Sequence, residues 1–412
     1  MIEDSKLKKI REASCLSQKG EKEADNFLNI LAAKIHSSRK KIIEANVLDV
    51  RRAKEKNLSR AFTQRLKVGN HGVDGVIESI NRTMKLKNGL GEVMEKRKLE
   101  NGVLLQKVRV PIGVIFVIYE ARPEVTVDVA ALCIKSGNCA ILKGGSEALH
   151  TNSALYKCIF ESLGETGYPV ETISFLPEIK RKNVYSLLRK TNYIDLVVAR
   201  GGYKMVKDIQ EKSKIPVLAH SAGGARIYVD RTADLKMGEK IILNAKISKP
   251  AACNSVDTVL VDEKIAKQFV PSIVKGLSSI GVEVFGDEAV CDFAGAKRAD
   301  KDTWGREFLD LEIGIKVVEG IEEAVRFVSK YTKRHTEGII AGDQNVVNFF
   351  SKSVDCAAIF VNCSTRLHDG GIFGMGTEMG IATGKLHARG PVGLNELTTY
   401  KWIASGSGQV RE

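Results

Sequence analysis

From Ile112 onward, short apolar runs alternate with amphipathic segments, and few folds accommodate such a sequence. The first apolar runs lie at 114–119, 140–143, 194–199 and 217–219, with helix-like segments among them at 154–163 and 203–212. A second series after Arg226 has apolar runs at 258–261, 283–285, 313–318, 338–341 and 357–361, with helix-like segments at 264–278 and 321–330. Strands that alternate with helices in this way predict α/β sheets whose strands are mainly parallel.

The two series predict two α/β domains, because 412 residues exceed what one compact core usually holds. We expect the boundary between them near Gly223-Gly224. The first hundred residues are predicted to be helical, since Phe27, Leu31 and Ile35 fall near helical spacing among charged residues. Residues 397–404 include Thr, Tyr and Trp and are predicted to form a strand.

The chain is basic, with 63 Lys and Arg against 50 Asp and Glu, and its net charge of +13 favours anionic partners. An anionic metabolite, a phosphorylated cofactor or a nucleic acid would each fit that charge. A nucleic acid is not the expected partner, because the basic residues are dispersed among acidic ones without a stacking-aromatic or helix-turn-helix pattern. No apolar run approaches the roughly 20 residues that span a bilayer, and residues 1–10 do not resemble a secretory signal. We therefore expect a cytoplasmic protein that does not bind membranes.

Eight cysteines are present, and none forms a CxxC pair, so neither a zinc site nor a thioredoxin-like site is predicted. Most lie in apolar runs and are expected to be inert core residues. Cys253 differs, because Pro250 marks a turn just before it and small residues lead into it. A thiolate attacks carbonyl carbon well, so Cys253 is a candidate nucleophile, with a buried inert thiol as the alternative.

Two glycine-containing turns follow predicted strands and are candidates for cofactor binding. In the segment Lys-Gly-Gly-Ser-Glu at 143–147, glycines let the backbone approach a ligand, and the following helix N-terminus favours a phosphate. Lys143 can reach a cofactor ribose or its 2′-phosphate, although a simple turn with an exposed lysine is the alternative. Arg200-Gly201-Gly202 repeats the arrangement after another strand. Neither segment has the GxGxxG spacing, so an ordinary Rossmann fingerprint is absent.

Arginines near strand ends and in the last loops are candidates for substrate binding. Arg122 follows the predicted strand 114–119, where open α/β sheets bind ligands, and an arginine can hold a carboxylate or phosphate through two hydrogen bonds. A structural Arg–Glu pair is the alternative there. Residues 362–393 are rich in glycine and predict a shaped loop that carries binding groups, among them Arg366 and His387. For His387, a structural hydrogen bond is favoured over a general-acid role.

Together these segments resemble the γ-glutamyl phosphate reductases of the aldehyde dehydrogenase superfamily. The resemblance runs from about Leu105 to the C-terminus and is strongest at 110–123, 132–147, 250–254 and 362–402. It implies an aldehyde dehydrogenase-like α/β fold, with a variant Rossmann cofactor domain at 1–224 and a catalytic domain at 225–390. It also implies small β elements that join subunits, at about 96–110 and at 391–412, and hence a homo-oligomer.

The resemblance further implies an activity, the NADPH-dependent reduction of γ-glutamyl phosphate to glutamate 5-semialdehyde and phosphate through a cysteinyl thioester. This is the second step of proline synthesis from glutamate and links the chain functionally to glutamate 5-kinase. Cys253 matches the family nucleophile, and Asn254 is expected to help hold the oxyanion. The expected cofactor-binding residues are Lys143, Gly145, Ser146, Glu147, Arg200, Gly201, Gly202 and Glu307. The expected substrate-binding residues are Arg122, Arg366 and His387, and no metal is expected.

The chain also departs from this family. Ala225-Arg226 stand where Cys-His is common, so neither residue is assigned a catalytic role. Hydrolytic aldehyde dehydrogenases carry a water-activating glutamate near the position of 221–224, whereas no acidic residue lies between Ala219 and Ile227 here, which favours reduction over oxidation. The open alternatives are a general NAD(P)-dependent aldehyde dehydrogenase, a nucleic-acid-binding protein and a pseudoenzyme. The sequence does not decide between NADPH and NADH.

Overall fold

A computed structural model describes residues 3–177, 180–219 and 222–411 of the chain. They form two compact units. The first comprises Met1–Ala219, Phe373–Gly380 and Leu386–Glu412, and the second comprises His220–Ile372 and Ile381–Lys385. The chain thus returns to the first unit near its end, where Met379 N donates to Val392 O at 2.9 Å and Arg200 Nη1 donates to Met379 O at 2.9 Å.

The first unit begins with the helices that the sequence predicts, α1 (Asp4–Leu16), α2 (Glu21–Ser37), α3 (Arg39–Glu55), α4 (Arg60–Leu66) and α5 (Asn70–Met84). Phe27, Leu31 and Ile35 lie on one face of α2 and are fully buried. Helical spacing of large apolar side chains therefore predicted these elements for the correct physical reason.

A five-stranded sheet forms the centre of the first unit, and each of its strand pairs is parallel, as predicted. Its order is β5-β4-β3-β6-β7. The strands between the start of the chain and Ala219 are β1 (Val93–Lys98), β2 (Leu104–Pro111), β3 (Val114–Tyr119), β4 (Cys139–Gly144), β5 (Ile173–Phe175), β6 (Leu196–Arg200) and β7 (Val217–Ala219). The helices between them are α6 (Val125–Lys135), α7 (Leu149–Glu165), α8 (Arg181–Leu187) and α9 (Tyr203–Lys212). Every residue of β3 is buried, which explains its continuous apolar run.

The second unit contains a seven-stranded parallel sheet of order β11-β10-β12-β9-β8-β13-β14. Its strands are β8 (Ala225–Val229), β9 (Val256–Asp262), β10 (Glu283–Gly286), β11 (Lys297–Arg298), β12 (Glu312–Val318), β13 (Thr336–Ile340) and β14 (Ala358–Val361). Its helices are α10 (Leu235–Ile247), α11 (Glu263–Ser279), α12 (Glu288–Ala294), α13 (Ile321–Tyr331) and α14 (Gln344–Ser353). The second predicted series of strands is therefore confirmed.

Residues 362–393 form mostly irregular structure, as their glycines predict, with a 3-10 turn at Thr365–Leu367 and two short strands, β15 (Ile381–Ala382) and β16 (Gly390–Pro391). The chain ends with β17 (Thr398–Ser405), which pairs antiparallel with β2 in a three-stranded sheet of order β1-β2-β17. All of β1 and nearly all of β17 are exposed. Among the described helices, none is long and apolar enough to cross a bilayer.

Candidate active site

Cys253 lies in the turn between α10 and β9, and its side chain is half-buried. Ala252 N donates to Lys249 O and Ser255 N donates to Ala252 O, each at 3.0 Å, so hydrogen-bonded turns lie on both sides of the cysteine. The turn that Pro250 predicts is therefore present, and the thiol is not sealed in the core.

The expectation that most of the cysteines are core residues is wrong. Three are buried, and burial raises the pKa of each of their thiols: Cys133, Cys139 and Cys158. Four are half-buried, namely Cys253, Cys291, Cys356 and Cys363, and Cys15 is exposed. Apolar neighbours in sequence do not bury a thiol that faces outward from a helix or a turn. Partial exposure thus does not single out Cys253, and its contacts must do so.

Two glycines of the segment before β8 lie directly against the backbone of the candidate nucleophile. Gly224 N donates to Cys253 O at 2.6 Å, and Gly224 has a φ of +94° that favours glycine. A Cβ on Gly223 would lie 2.5 Å from both Cβ and O of Cys253. Only glycine permits this close approach, so Gly223-Gly224 and Cys253 form one backbone unit.

Asn254 is held by the segment that follows β14. Its Nδ2 donates to His368 O at 2.9 Å, and its own carbonyl oxygen accepts from Thr365 Oγ1 at 2.8 Å. Its Oδ1 accepts from Arg366 Nη1. Asn254 is 4% exposed, so these contacts fix a buried side chain beside the thiol.

Arg366 is brought to the same place. Its Nε donates to Ser248 Oγ at 3.2 Å, and its guanidinium is close enough to Cys253 for a charge interaction between them. Burial lowers the pKa of Arg366, and a negative charge on Cys253 opposes that change. The same attraction favours the thiolate form of Cys253 over the thiol.

The segment His335-Thr336-Glu337 contacts His368, the residue whose carbonyl oxygen accepts from Asn254. Thr336 Oγ1 lies 2.8 Å from His368 Nδ1 and 2.6 Å from His335 Nδ1. Burial lowers the pKa of His368 to about 4, so its imidazole is neutral at pH 7. These contacts support the residue whose carbonyl oxygen holds Asn254.

Two buried carboxylates from other strands lie close to the Gly223-Gly224 segment, although no acidic residue occurs within it. Glu337 accepts from Arg226 N at 2.9 Å, and a Cβ on Gly224 would overlap the carboxylate of Asp257. Burial raises the pKa of both acids, that of Glu337 to about 7. Both lie within 2% of complete burial and face cations, Arg226 for Glu337 and Lys246 for Asp257. They are therefore better suited to hold the segment than to activate water.

Glu307 is half-buried in the segment before β12. Its neighbour Phe308 donates its N–H to Asp257 Oδ1 at 3.3 Å and stacks on Phe285 with ring centroids 5.9 Å apart. The backbone at Glu307 is therefore anchored in the second unit, the unit that also contains Cys253.

The first unit contains a cavity of about 270 Å³ at the carboxyl ends of β3 and β4. Ligand pockets commonly enclose about 300–1,000 Å³, so this cavity fits part of a dinucleotide. Its walls combine apolar side chains with acidic and basic ones. The lining includes Lys143, Gly145, Ser146 and Glu147, and from outside the predicted set Glu120, Arg181, Met205 and Asp208.

Hydrogen bonds fix the conformation of residues 143–147. Glu147 Oε1 accepts from Ala121 N at 2.8 Å, and a Cβ on Gly145 would overlap this carboxylate. Lys143 Nζ donates to Gly144 O. Burial lowers the pKa of Lys143, whereas Glu147 and Glu120 oppose that change. A partly desolvated lysine beside a cavity is suited to bind an anionic or hydroxyl group of a cofactor.

Arg200 is the last residue of β6, and Gly201 and Gly202 follow it at the same edge of the sheet. Arg200 Nη1 donates to Met379 O, and Gly202 N donates to Glu120 Oε2 at 2.8 Å. A Cβ on Gly201 would overlap the methyl group of Met205, which lines the cavity. The two glycines therefore allow close packing beside the cavity, and Arg200 fixes the chain at 378–379.

Arg122 and His387 lie in the first unit, whereas Cys253, Asn254, Arg366 and Glu307 lie in the second. Arg122 O accepts from Val125 N at the start of α6. The ring of His387 is exposed, and its Nε2 donates to Glu396 O at 2.9 Å. This is the structural hydrogen bond that the sequence favoured for His387.

Several residues near Cys253 and in the cavity of the first unit were not among the predicted site residues. Glu120 follows β3 just as Arg122 does, so the rule that ligands bind at carboxyl ends of strands could have found it. No pattern marks Arg181 and Asp208, which come from α8 and α9, as cavity residues. Across the described residues, no group of three His, Cys, Asp or Glu side chains is placed to hold a metal ion.

Comparisons with known proteins agree with the fold. Residues 22–292 match the model of the aldehyde dehydrogenase family. The chain is 42% identical over 409 residues, 99% of both chains, to a γ-glutamyl phosphate reductase of Dictyoglomus thermophilum. It is similar to the crystal structure of γ-glutamyl phosphate reductase from Thermotoga maritima, with a TM-score of 0.94, 41% identity and 99% coverage of both chains. The enzyme of the same name from Saccharomyces cerevisiae is 28% identical, with a TM-score of 0.55 over 99% of this chain and 98% of the other.

Proposed function

Because the chain belongs to the aldehyde dehydrogenase family, and within it to the γ-glutamyl phosphate reductases, we propose that Cys253 forms the covalent bond to substrate and that NADPH is the reductant. The enzyme reduces γ-glutamyl phosphate to glutamate 5-semialdehyde, a step of proline biosynthesis. Relatives of this name that match nearly the whole chain favour this reaction over that of a general aldehyde dehydrogenase. The observation that carries the assignment of Cys253 is its set of contacts, with Gly223-Gly224 against its backbone and the Arg366 guanidinium near its thiol.

In the first step, the Cys253 thiolate attacks the acyl carbon, a carbon–sulfur bond forms, and the bond from that carbon to the phosphate oxygen breaks. Phosphate departs with the electron pair, and a guanidinium near the sulfur stabilises the charge on that leaving group. Arg366 is the residue we assign to this role. Asn254 Oδ1 accepts from Arg366, which holds that arginine in place. Asn254 donates one of its two amide hydrogens to His368 O, which leaves the other for the oxyanion that forms on the acyl group during attack.

A nicotinamide cofactor, which this family uses, supplies the hydride that reduces the thioester. Collapse of the resulting adduct returns the sulfur to Cys253 as the thiolate and releases the aldehyde. Glu337 and Asp257 are buried beside cations, so neither is poised to activate a water against the thioester. The thioester is therefore protected from hydrolysis between the two steps.

For the cofactor, we assign the cavity of the first unit to part of the dinucleotide and Lys143 to its ribose or 2′-phosphate. Arg181, which also lines this cavity, supplies a second positive charge, which supports NADPH over NADH. The surroundings of this cavity are shaped by Gly145, Ser146, Glu147 and Arg200-Gly201-Gly202. We assign Glu307 to the nicotinamide ribose. In this proposal the first unit is the cofactor domain, and the second contains the nucleophile.

Three further assignments follow from the reaction and the chain. An acyl phosphate is made by phosphoryl transfer to a carboxylate, so a kinase that phosphorylates glutamate must supply the substrate. The exposed strands β1 and β17 of the three-stranded sheet are suited to join subunits into a homo-oligomer. All eight cysteines are free thiols, which supports a location in the reducing cytoplasm. Arg122 and His387 stay candidates for contacts to the substrate.

The test is the phosphate-dependent oxidation of glutamate 5-semialdehyde, the reverse reaction, by wild type and by Cys253→Ala, with NADP⁺ and NAD⁺ in turn. We expect the alanine variant to fold with the wild-type thermal unfolding midpoint and to lose essentially all turnover. Cys291→Ala, which changes another half-buried thiol, is the matched control and should keep turnover. Turnover by Cys253→Ala, or wild-type oxidation that proceeds unchanged without phosphate, would contradict the proposal.

A further inference from the structure

Arg226 is the largest fully buried side chain of the described residues, and no role follows for it from the reaction itself. Its Nη1 donates to Gly224 O at 3.2 Å and lies 3.5 Å from Glu337 Oε1. Its backbone N–H donates to Glu337 Oε2 at 2.9 Å. Nε and Nη2 have no hydrogen-bond partner within the part of the chain that the structure describes. A guanidinium is thus buried in β8 with only part of its donors used.

Stability alone explains this arrangement poorly. Burying a guanidinium and a carboxylate costs their hydration, and well-packed apolar side chains of similar volume are often as stable. Here two donors without partners add to that cost. The contact that an apolar side chain cannot replace is the hydrogen bond from Arg226 to Gly224 O.

That hydrogen bond is one step from the nucleophile. Gly224 accepts from Arg226 through its O and donates from its N to Cys253 O at 2.6 Å. The carboxylate of Asp257 closes the other side of Gly224, since it occupies the place that a Cβ would take. Gly224 is therefore held between Arg226 and Asp257, and Gly223 is pressed against Cys253.

We propose that Arg226 is a positioning residue, whose buried guanidinium holds Gly223-Gly224 against the Cys253 turn and thereby sets the position of the nucleophilic sulfur. Glu337 supplies the counter-charge and is itself fixed by Thr332 Oγ1 at 2.6 Å. The inference rests on the proposed role of Cys253.

The test uses a double variant, Arg226→Met with Glu337→Gln, because Arg226→Met alone leaves a buried carboxylate without its partner and can fail to fold. Arg226→Lys is the conservative variant, since it keeps a positive charge and one donor group. Arg231→Met is the matched control, because it removes another arginine from an ion pair with a buried aspartate, Asp262, at 3.0 Å. Each variant is measured for its thermal unfolding midpoint, kcat, KM and rate of alkylation by iodoacetamide at single cysteines, read by peptide mass spectrometry.

We expect the double variant to unfold near the wild-type temperature, with KM unchanged and kcat lowered by about tenfold to a hundredfold, as small misplacements of reacting groups cause. Alkylation of Cys253 should change in rate, while alkylation of the exposed Cys15 should not. Arg226→Lys should keep turnover closer to wild type, and Arg231→Met should match wild type. Wild-type kcat and Cys253 alkylation in the double variant would overturn the inference, and so would an equal loss in Arg231→Met.

The same experiment separates this inference from its premise. Alkylation of Cys253 in the wild-type enzyme must abolish turnover if that thiol is the nucleophile. Turnover that survives complete alkylation of Cys253 would refute the role of Cys253 itself. Turnover that is lost on alkylation, together with a double variant that behaves as wild type, would refute only the role of Arg226.

Discussion

At the scale of single residues, the charge that faces Cys253 matters most for the chemistry. Arg366 is partly buried, contacts Asn254 and Ser248, and interacts electrostatically with Cys253. A guanidinium in this place serves two functions in the proposed reaction. It favours the thiolate before attack, and it stabilises the phosphate that leaves during attack.

Arg366→Met should therefore lower kcat/KM for the acyl phosphate. Hydrogen bonds to charged groups contribute about 1.5–3 kcal/mol, so we expect a loss of roughly tenfold to a hundredfold. Steady-state kinetics measure the loss. Arg298→Met, which alters an arginine that is 68% exposed on β11, is the control and should have no effect. Equal kinetics for both variants would remove Arg366 from the site.

Glu337 should make the stability of the fold depend on pH. Burial raises its pKa from 4.5 to about 7, so the folded protein binds this proton more tightly than the unfolded chain does. The resulting stabilisation is complete below about pH 4.5 and is lost as the pH rises through about 7. We expect the free energy of unfolding of wild type, relative to Glu337→Gln, to fall by up to about 3 kcal/mol over that range. Denaturant unfolding across the range tests this, and curves that stay parallel would contradict it.

At the scale of elements, the two glycines before β8 hold the backbone around Cys253. Gly223 and Gly224 come immediately before β8, which is a central strand of the seven-stranded sheet. A rigid strand therefore anchors the two glycines that contact Cys253. A site built on such an anchor is more precise than one built on loops alone.

Gly224→Ala should damage both stability and turnover. Gly224 and Gly281 both have positive φ, +94° and +81°, but a Cβ on Gly224 would overlap Asp257, whereas one on Gly281 would meet nothing within 4 Å. Each alanine costs about 1–2 kcal/mol for its backbone, and overpacking at Gly224 adds about 1–3 kcal/mol. Denaturant unfolding and kcat for both variants test this. Wild-type turnover in Gly224→Ala would contradict the role of this segment.

Many of the strands and helices were predictable, because their apolar spacing reflects burial in parallel sheets and helix faces. Cys253 was identified as a candidate from the turn that Pro250 predicts, a strictly local signal. The pair Arg226 and Glu337 was not, since 111 positions separate the two residues and only the pairing of β8 with β13 brings them together. The burial of the cysteines was mispredicted for a related reason, because apolar neighbours in sequence do not fix which way a thiol faces.

At the scale of the whole molecule, the chain is divided into a unit with a cavity of about 270 Å³ and a unit that contains Cys253. The chain runs through the first unit and then the second, and from Phe373 it returns to the first, apart from Ile381–Lys385. In the proposed reaction, substrate chemistry and cofactor binding thus come from separate sheets. The central claim is that the reaction passes through one covalent intermediate, an acyl group on Cys253.

The measurement that tests this claim most directly is a search for that intermediate by mass spectrometry. The enzyme is mixed with glutamate 5-semialdehyde and NADP⁺ without phosphate, quenched rapidly in acid, and digested. We expect a burst of about one NADPH per chain and a glutamyl group on the peptide that contains Cys253, both followed by turnover when phosphate is added. An unmodified Cys253, with the acyl group on another residue or with steady turnover in the absence of phosphate, would contradict the account.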